Sequence, residues 1–190
     1  MKNKKKVLIY ILVLVLFIVV NKVVYDYLNA NYKSENLVAA ETADQQAEET
    51  SELNPAVDFT VTDLDGNDVT LSSFYGKPIV LTFWASWCSN CATQMPDFQS
   101  VYDEYGEDVV FFMVNVTDGS KETLKTAKAY IIKHEYTLPF YFDESLEASI
   151  AYSANAIPVT YIIDKDGYLL ARGQGTISAD VLSQYLDNIK

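Results

Sequence analysis

The first hydrophobic feature of the chain is an unbroken apolar run of 14 residues, from Val7 to Val20. Three more apolar residues follow Asn21 and Lys22, so the stretch reaches roughly the 20 residues that cross a bilayer as a helix. Four lysines precede it, which favours a cytoplasmic N-terminus. We therefore predict a basic cytoplasmic tail over residues 1–6 and a single transmembrane signal-anchor over 7–27. A cleaved signal peptide is the alternative, because the run alone has that length too.

The next segment, residues 28–54, has no regular apolar pattern. It carries six acidic side chains between Glu35 and Glu52 and few large apolar residues. Such a composition cannot bury a core, and repulsion between like charges extends the chain. We predict a flexible acidic linker here and a folded domain over residues 55–190.

The pattern of apolar and polar residues changes at the start of that domain. Polar and apolar residues alternate on both sides of the turn residues Asp65-Gly66-Asn67, which predicts a β-hairpin. Ile79 to Trp84 is almost wholly apolar, as is typical of a strand buried on both faces. The remaining pattern predicts a helix over 88–105, a strand over 109–116, a helix over 121–135, a strand over 140–142, a helix over 145–152, a hairpin of 159–163 with 168–172, and a helix over 178–189.

This order predicts an α/β fold. A strand–helix–strand unit with short connections implies parallel, right-handed pairing of its two strands. We expect a three-layer sandwich with a mixed central sheet, an N-terminal β-hairpin and an inserted strand–helix segment over residues 121–152.

Charge narrows the classes of partner. The net charge is −12, and the first six residues are +4, so the rest of the chain carries −16. Binding to nucleic acid depends on basic side chains that neutralise phosphates, so this class is excluded. The same charge disfavours a domain lying flat on anionic lipid.

The chain has two cysteines, and they are three residues apart. Cys88 and Cys91 follow the buried strand and open a helix, where backbone N–H groups and the helix dipole stabilise an anion. A thiol at a helix N-terminus has a lowered pKa, and its thiolate is the nucleophile of disulfide exchange. A second thiol one helical turn away can resolve the mixed disulfide.

Three alternatives to redox exchange exist for the cysteine pair. A structural zinc ion needs four ligands, whereas the chain offers two cysteines and the distant His134. A stabilising disulfide across so short a loop constrains little of the unfolded chain. Copper-delivery modules of similar outline use a spacing one residue longer. We therefore predict a redox-active pair and no metal.

The residues from Phe83 to Cys91, Phe-Trp-Ala-Ser-Trp-Cys-Ser-Asn-Cys, resemble the active-site signature of the thioredoxin superfamily. The leading hairpin, the stretch from Leu71 to Pro78, Pro96, and the segment Ile157-Pro158-Val159-Thr160 resemble its membrane-tethered extracytoplasmic branch, the TlpA/ResA-like thiol–disulfide oxidoreductases of bacteria. The resemblance covers residues 56–190 and implies a thioredoxin-like fold.

The resemblance also implies roles for individual residues. Cys88 would attack the substrate disulfide and Cys91 would resolve the product. Pro158 would be a cis proline beside the cysteines, the backbone of Ile157 would pair with a substrate strand, and Trp87 would shield the site. No cofactor is implied. The expected partners are protein thiols or disulfides and a membrane redox partner that recycles the site, and the extracytoplasmic domain is expected to be monomeric.

Four positions depart from the family pattern. Ser89 and Asn90 stand between the cysteines, where relatives often carry a proline. Thr82 and Gln94 replace acidic residues that would accept a proton from Cys91, so Thr82, Gln94 or water would handle protons. We predict an enzyme acting as a reductase. The alternatives are an oxidase that forms disulfides in secreted proteins and, in a different class, a redox-silent peptide-binding module.

Overall fold

A computed structural model describes residues 20–23 and 54–189. The chain divides into one unit of residues 1–52 and another of residues 53–190. Of the first unit, only residues 20–23 are described, and they are helical. The rest of the predicted anchor and all but the last residue of the predicted linker lie outside the described residues. No helix within 20–23 or 54–189 has the length and apolar character needed to cross a membrane.

The second unit is built on one mixed sheet of seven strands, in the order β2-β1-β5-β4-β3-β6-β7. The central strands β3, β4 and β5 are parallel, and the β1–β2 and β6–β7 hairpins flank them in antiparallel pairing. The strands are β1 Thr60–Thr62, β2 Asp68–Thr70, β3 Ile79–Trp84, β4 Val110–Asn115, β5 Phe140–Phe142, β6 Val159–Ile163 and β7 Leu169–Gln174. The predicted hairpins and the parallel pairing of β3 with β4 are confirmed.

Four helices connect or follow these strands: α1 Ser89–Tyr105, α2 Leu124–His134, α3 Glu147–Ala151 and α4 Ala179–Asp187. The helix predicted from Lys121 begins three residues later, because the Thr123 side chain accepts the N–H of Thr126 and caps the first turn. The helix predicted from Ser145 begins at Glu147, since Leu146 adopts a left-handed backbone with φ of 60°. The helix predicted over 178–189 begins at Ala179, and Ser178 caps it by accepting from the N–H of Val181.

The helices divide between the two faces of the sheet. α1, α2 and α4 pack on one face, where their buried residues join Val80, Trp84 and Phe111 in a single cluster. The short helix α3 and the Leu71–Phe74 3-10 turn pack on the other face, against an aromatic cluster around Phe83. The expected three-layer α/β sandwich, thioredoxin-like with a mixed sheet, is confirmed, including the inserted α2–β5–α3 segment.

The site depends on the parallel centre of this sheet. Because parallel strands run the same way, their carboxyl ends meet at one edge, and the loops after β3, β4 and β5 lie beside one another there. β3 is buried along its whole length and ends directly before the cysteine turn. This fixed strand gives the turn a rigid base.

Candidate active site at the Cys88–Cys91 pair

Cys88 and Cys91 form a disulfide in this structure, with Cα atoms 5.2 Å apart. Cys88 is the N-cap of α1, and its sulfur accepts a hydrogen bond from the N–H of Cys91 at 3.2 Å. Both side chains are buried, with 6% of Cys88 and 2% of Cys91 exposed. The positive end of the helix dipole and a backbone donor therefore both act on the Cys88 sulfur.

The loop before β6 closes the other side of the sulfur. The Ile157–Pro158 peptide bond is cis, as the resemblance implied, and the Ile157 carbonyl oxygen lies 3.5 Å from Cys88 Sγ. A disulfide sulfur has no proton to donate, so this is a van der Waals contact in the oxidised protein. After reduction, a Cys88 thiol has an acceptor in place. Pro158 is buried and Ile157 is half-buried.

Trp87 lies beside the pair and is 46% exposed, unlike the neighbouring Trp84, which is fully buried. The ammonium group of Lys121 sits 3.2 Å from the centre of the Trp87 ring, a cation–π contact. Lys121 comes from the loop after β4. The shielding role expected of Trp87 stays a prediction, and the structure adds a basic neighbour that the sequence pattern did not single out.

The residues between the cysteines face solvent. Ser89 and Asn90 are both exposed, and the Asn90 carbonyl accepts a 3.4 Å hydrogen bond from Thr176 Oγ1 in the loop after β7. Gln174 of the same region donates to the carbonyl of Ala156 beside the cis proline. The end of β7 and the loop after it thus join the two halves of the site, a role that sequence reasoning missed.

The two positions suggested for proton handling are buried and engaged elsewhere. The Thr82 hydroxyl lies 3.0 Å from that of Thr160 on β6, and both residues are buried. The Gln94 Oε1 accepts the N–H of Ile177 at 2.9 Å. Each side chain thus has a structural partner, and the proton-handling role of either one stays a prediction.

Sequence reasoning also missed Glu122, a fully buried carboxylate in the loop after β4. Its Oε2 accepts both the N–H and the hydroxyl of Ser86, each at 2.8 Å, and its Oε1 accepts from Thr126 at 3.0 Å. Ser86 is two residues before Cys88. The signal that could have found Glu122 is topological, because residues after β4 must lie next to those after β3.

Three segments surround the disulfide: residues 82–96, 153–163 and 173–179. Their only ionisable side chains are the two cysteines and Tyr161. Lys121 and Glu122 are charged groups that the loop after β4 brings into contact with the cysteine turn. Across residues 20–23 and 54–189, no group of three His, Cys, Asp or Glu side chains could hold a metal ion. His134, by contrast, is exposed at the end of α2, where its ring lies against Tyr130 and Tyr136.

Together, a disulfide at a helix N-terminus, a cis proline beside it and a thioredoxin-like sheet define the class as a thiol–disulfide oxidoreductase. The chain belongs to the AhpC/TSA family, whose model matches residues 53–172.

Curated relatives include a protein named for the same activity and one named for its likeness to thioredoxin. The chain is 32% identical over 134 residues to the thiol-disulfide oxidoreductase ResA of Bacillus thuringiensis subsp. konkukian, an alignment covering 70% of this chain and 76% of that protein. It is 30% identical over 132 residues to the thioredoxin-like protein YneN of Bacillus subtilis, again covering 70% and 76%.

Solved structures agree with this assignment. StoA from Bacillus subtilis superposes with a TM-score of 0.61 at 27% identity, over 70% of this chain and 99% of StoA. The pneumococcal exposed lipoprotein thioredoxin Etrx1 from Streptococcus pneumoniae strain TIGR4 superposes with a TM-score of 0.63 at 31% identity, over 70% and 99%.

Proposed function

We propose that this protein reduces disulfides of proteins outside the cytoplasm through the Cys88–Cys91 pair. The observation that carries the proposal is the position of Cys88, whose sulfur caps α1, accepts the Cys91 N–H and lies against the Ile157 carbonyl. Only one of the two sulfurs occupies the anion-stabilising end of the helix, which makes Cys88 the attacking thiolate.

The reaction proceeds in two exchanges. The Cys88 thiolate attacks one sulfur of a substrate disulfide, forms a mixed disulfide and releases the other substrate sulfur as a thiolate, which takes up a proton. The Cys91 thiol then loses its proton and attacks Cys88 Sγ. The second substrate sulfur leaves as a thiolate and takes up a proton while the Cys88–Cys91 disulfide forms, so two electrons and two protons have passed to the substrate.

Substrate would approach over the surface around the pair, on which the ammonium group of Lys121 lies against Trp87. Trp87 is exposed at its rim, and the backbone of Ile157 next to Pro158 can pair with an extended substrate segment. Ser89 and Asn90 line the same surface. Because this surface carries almost no charge, recognition would depend on backbone pairing and apolar contact more than on ion pairs.

The proposed setting is the outer side of a bacterial cell membrane. The apolar segment 7–27 behind the lysines of residues 1–6 supports an anchor, and the acidic segment 28–54 supports a tether. Etrx1, described as an exposed lipoprotein thioredoxin, is a similar protein in such a location. A membrane redox partner would then return electrons to the oxidised Cys88–Cys91 pair.

Insulin reduction and the oxidative refolding of a reduced protein, each measured with the full chain, test the activity and its direction. We expect insulin reduction to be the faster reaction, and Cys88→Ala to abolish both. Faster oxidation would identify a disulfide-forming oxidase instead. Full activity of Cys88→Ala in both assays would contradict enzymatic exchange at this site. A wild-type chain without activity in either assay would favour the redox-silent peptide-binding module.

A further inference from the structure

Glu122 is an acidic side chain with no solvent exposure in a domain whose other acids are mostly at the surface. Burying a carboxylate is costly unless hydrogen bonds replace its water. Here the carboxylate accepts three hydrogen bonds, two of them from Ser86. The hydrogen bonds that offset the cost of burying this carboxylate therefore also hold the segment that precedes Cys88.

The backbone around Glu122 is fixed by a second set of bonds. Its N–H donates to Asp118 Oδ1 at 2.9 Å, and its carbonyl accepts from the N–H of Gly119 at 2.9 Å. The preceding residue, Lys121, contacts Trp87. Two consecutive residues of the loop after β4, Lys121 and Glu122, thus contact two consecutive residues of the cysteine turn, Trp87 and Ser86.

The segment that Glu122 holds is connected to the Cys88 sulfur through a tight turn. The Cys88 N–H donates to the Ala85 carbonyl at 3.2 Å, closing a tight turn that contains Ser86, and the sulfur then reaches the N–H of Cys91. A shift of Ser86 would move the start of this turn. It would thereby weaken the contact between the Cys88 sulfur and the first turn of α1.

We propose that Glu122 is a positioning residue, which holds the Ala85–Cys88 turn through its two hydrogen bonds to Ser86 so that the Cys88 sulfur stays at the N-terminus of α1. The inference rests on the proposed function, because it concerns the reactivity of the same cysteine. The bonds, rather than the negative charge, do the positioning.

The chain offers a matched control in Asp143, which follows β5 and is 1% exposed. Its Oδ2 accepts the N–H and the hydroxyl of Ser149 at 2.7 and 2.6 Å, the same pattern that Glu122 makes with Ser86. Ser149 belongs to α3, not to the cysteine turn. Removing Asp143 therefore removes an equivalent pair of bonds without touching the site.

The experiment follows alkylation of Cys88 by iodoacetamide in the reduced full chain, mapped by mass spectrometry from pH 4 to pH 10, the span in which protein thiols titrate. In Glu122→Ala we expect the midpoint to move up by about one pH unit, toward the ~8.5 of an ordinary thiol, and the rate below the midpoint to fall about tenfold. Glu122→Gln keeps an oxygen for Ser86 and should restore the wild-type profile. Asp143→Ala should leave the profile unchanged.

Three results would overturn the proposal: an unchanged profile in Glu122→Ala, an equal upward shift in Asp143→Ala, or an upward shift in Glu122→Gln as large as in Glu122→Ala, which would mean that an oxygen acceptor for Ser86 does not hold the turn. If Glu122→Ala does not fold, Ser86→Ala removes one of the two bonds and should give a smaller upward shift, and no shift would refute the proposal. Failure of the wild-type chain to reduce insulin would instead contradict the proposed function, while the alkylation comparison would stand.

Discussion

Two buried carboxylates stand after neighbouring parallel strands, and each accepts the N–H and the hydroxyl of one serine. Glu122, after β4, binds Ser86 in the cysteine turn, whereas Asp143, after β5, binds Ser149 at the start of α3. The bonds are alike and their surroundings differ. The same arrangement therefore fixes the fold in the loop after β5 and the reacting group in the loop after β4, according to which serine it holds.

The largest effect concerns the sulfur that the first of these loops is proposed to position. Cys91→Ala keeps the attacking Cys88 but removes the resolving thiol, so a mixed disulfide with a protein substrate should accumulate and turnover should fall by at least about 1,000-fold. Mass spectrometry of the trapped adduct checks this. A mixed disulfide that also formed in Cys88→Ala would show that Cys91 can attack, and would contradict the assignment of Cys88 as the attacking thiol.

The second effect sharpens the role of the other carboxylate. Asp143→Ala leaves the N–H and hydroxyl of Ser149 without their acceptor, and we expect the free energy of unfolding to fall by about 1–3 kcal/mol. Insulin reduction well below the melting temperature should be unchanged. Urea denaturation tests the expected loss of stability, and turnover measured on the same sample tests the unchanged activity. Lost turnover at full stability would mean that the β5 loop also serves the site.

The third effect concerns the buried Thr82–Thr160 hydroxyl pair, which joins β3 to β6 beneath the two site loops. Thr82→Val deprives Thr160 of its partner, so we expect a loss of about 1–2 kcal/mol in unfolding free energy. The double variant Thr82→Val/Thr160→Val removes both hydroxyls and should recover most of that loss. Stability that is not recovered in the double variant would contradict the structural role of this hydroxyl pair. A shifted pH profile of insulin reduction in Thr82→Val would show that Thr82 also handles protons.

The last effect appears at alkaline pH on the β5 side. Burial, with the negative charge of Asp63 as a second cause, raises the pKa of Tyr141 to about 12. The folded state therefore keeps the phenol proton to higher pH than the unfolded chain, whose tyrosine titrates near ~10, and stability falls as pH rises from ~10 to ~12. Tyr141→Phe has no proton to lose, so its stability should fall less over this range. An identical slope in urea denaturation series of the two proteins would contradict the assignment.

Much of the fold follows from local patterns. The all-apolar run at Ile79–Trp84, the alternating hairpins and the Asp-Gly turns each predict an element that the structure contains. Helix starts were less predictable because caps decide them. The Thr123 cap and the left-handed Leu146 depend on hydrogen bonds and backbone angles that no hydrophobic period reveals.

Parts of the site resist prediction for a related reason. The cysteine pair and Ile157-Pro158 carry their signal in adjacent residues, and the structure brings them together. Glu122 lies 36 positions from Ser86, and the contact exists only because β3 and β4 are parallel neighbours. Nothing in the residues around Glu122 distinguishes it from a surface acid. Contacts of this kind become visible only when the sheet order is known.

The reduction potential of the Cys88–Cys91 pair in the full chain tests the central claim most directly. Equilibration with glutathione or dithiothreitol buffers, followed by trapping of free thiols, gives the value. A reductase predicts a potential close to the roughly −270 mV of thioredoxin, at which the pair donates electrons readily. A value close to roughly −120 mV, typical of a strong disulfide-forming oxidant, would contradict the proposed direction.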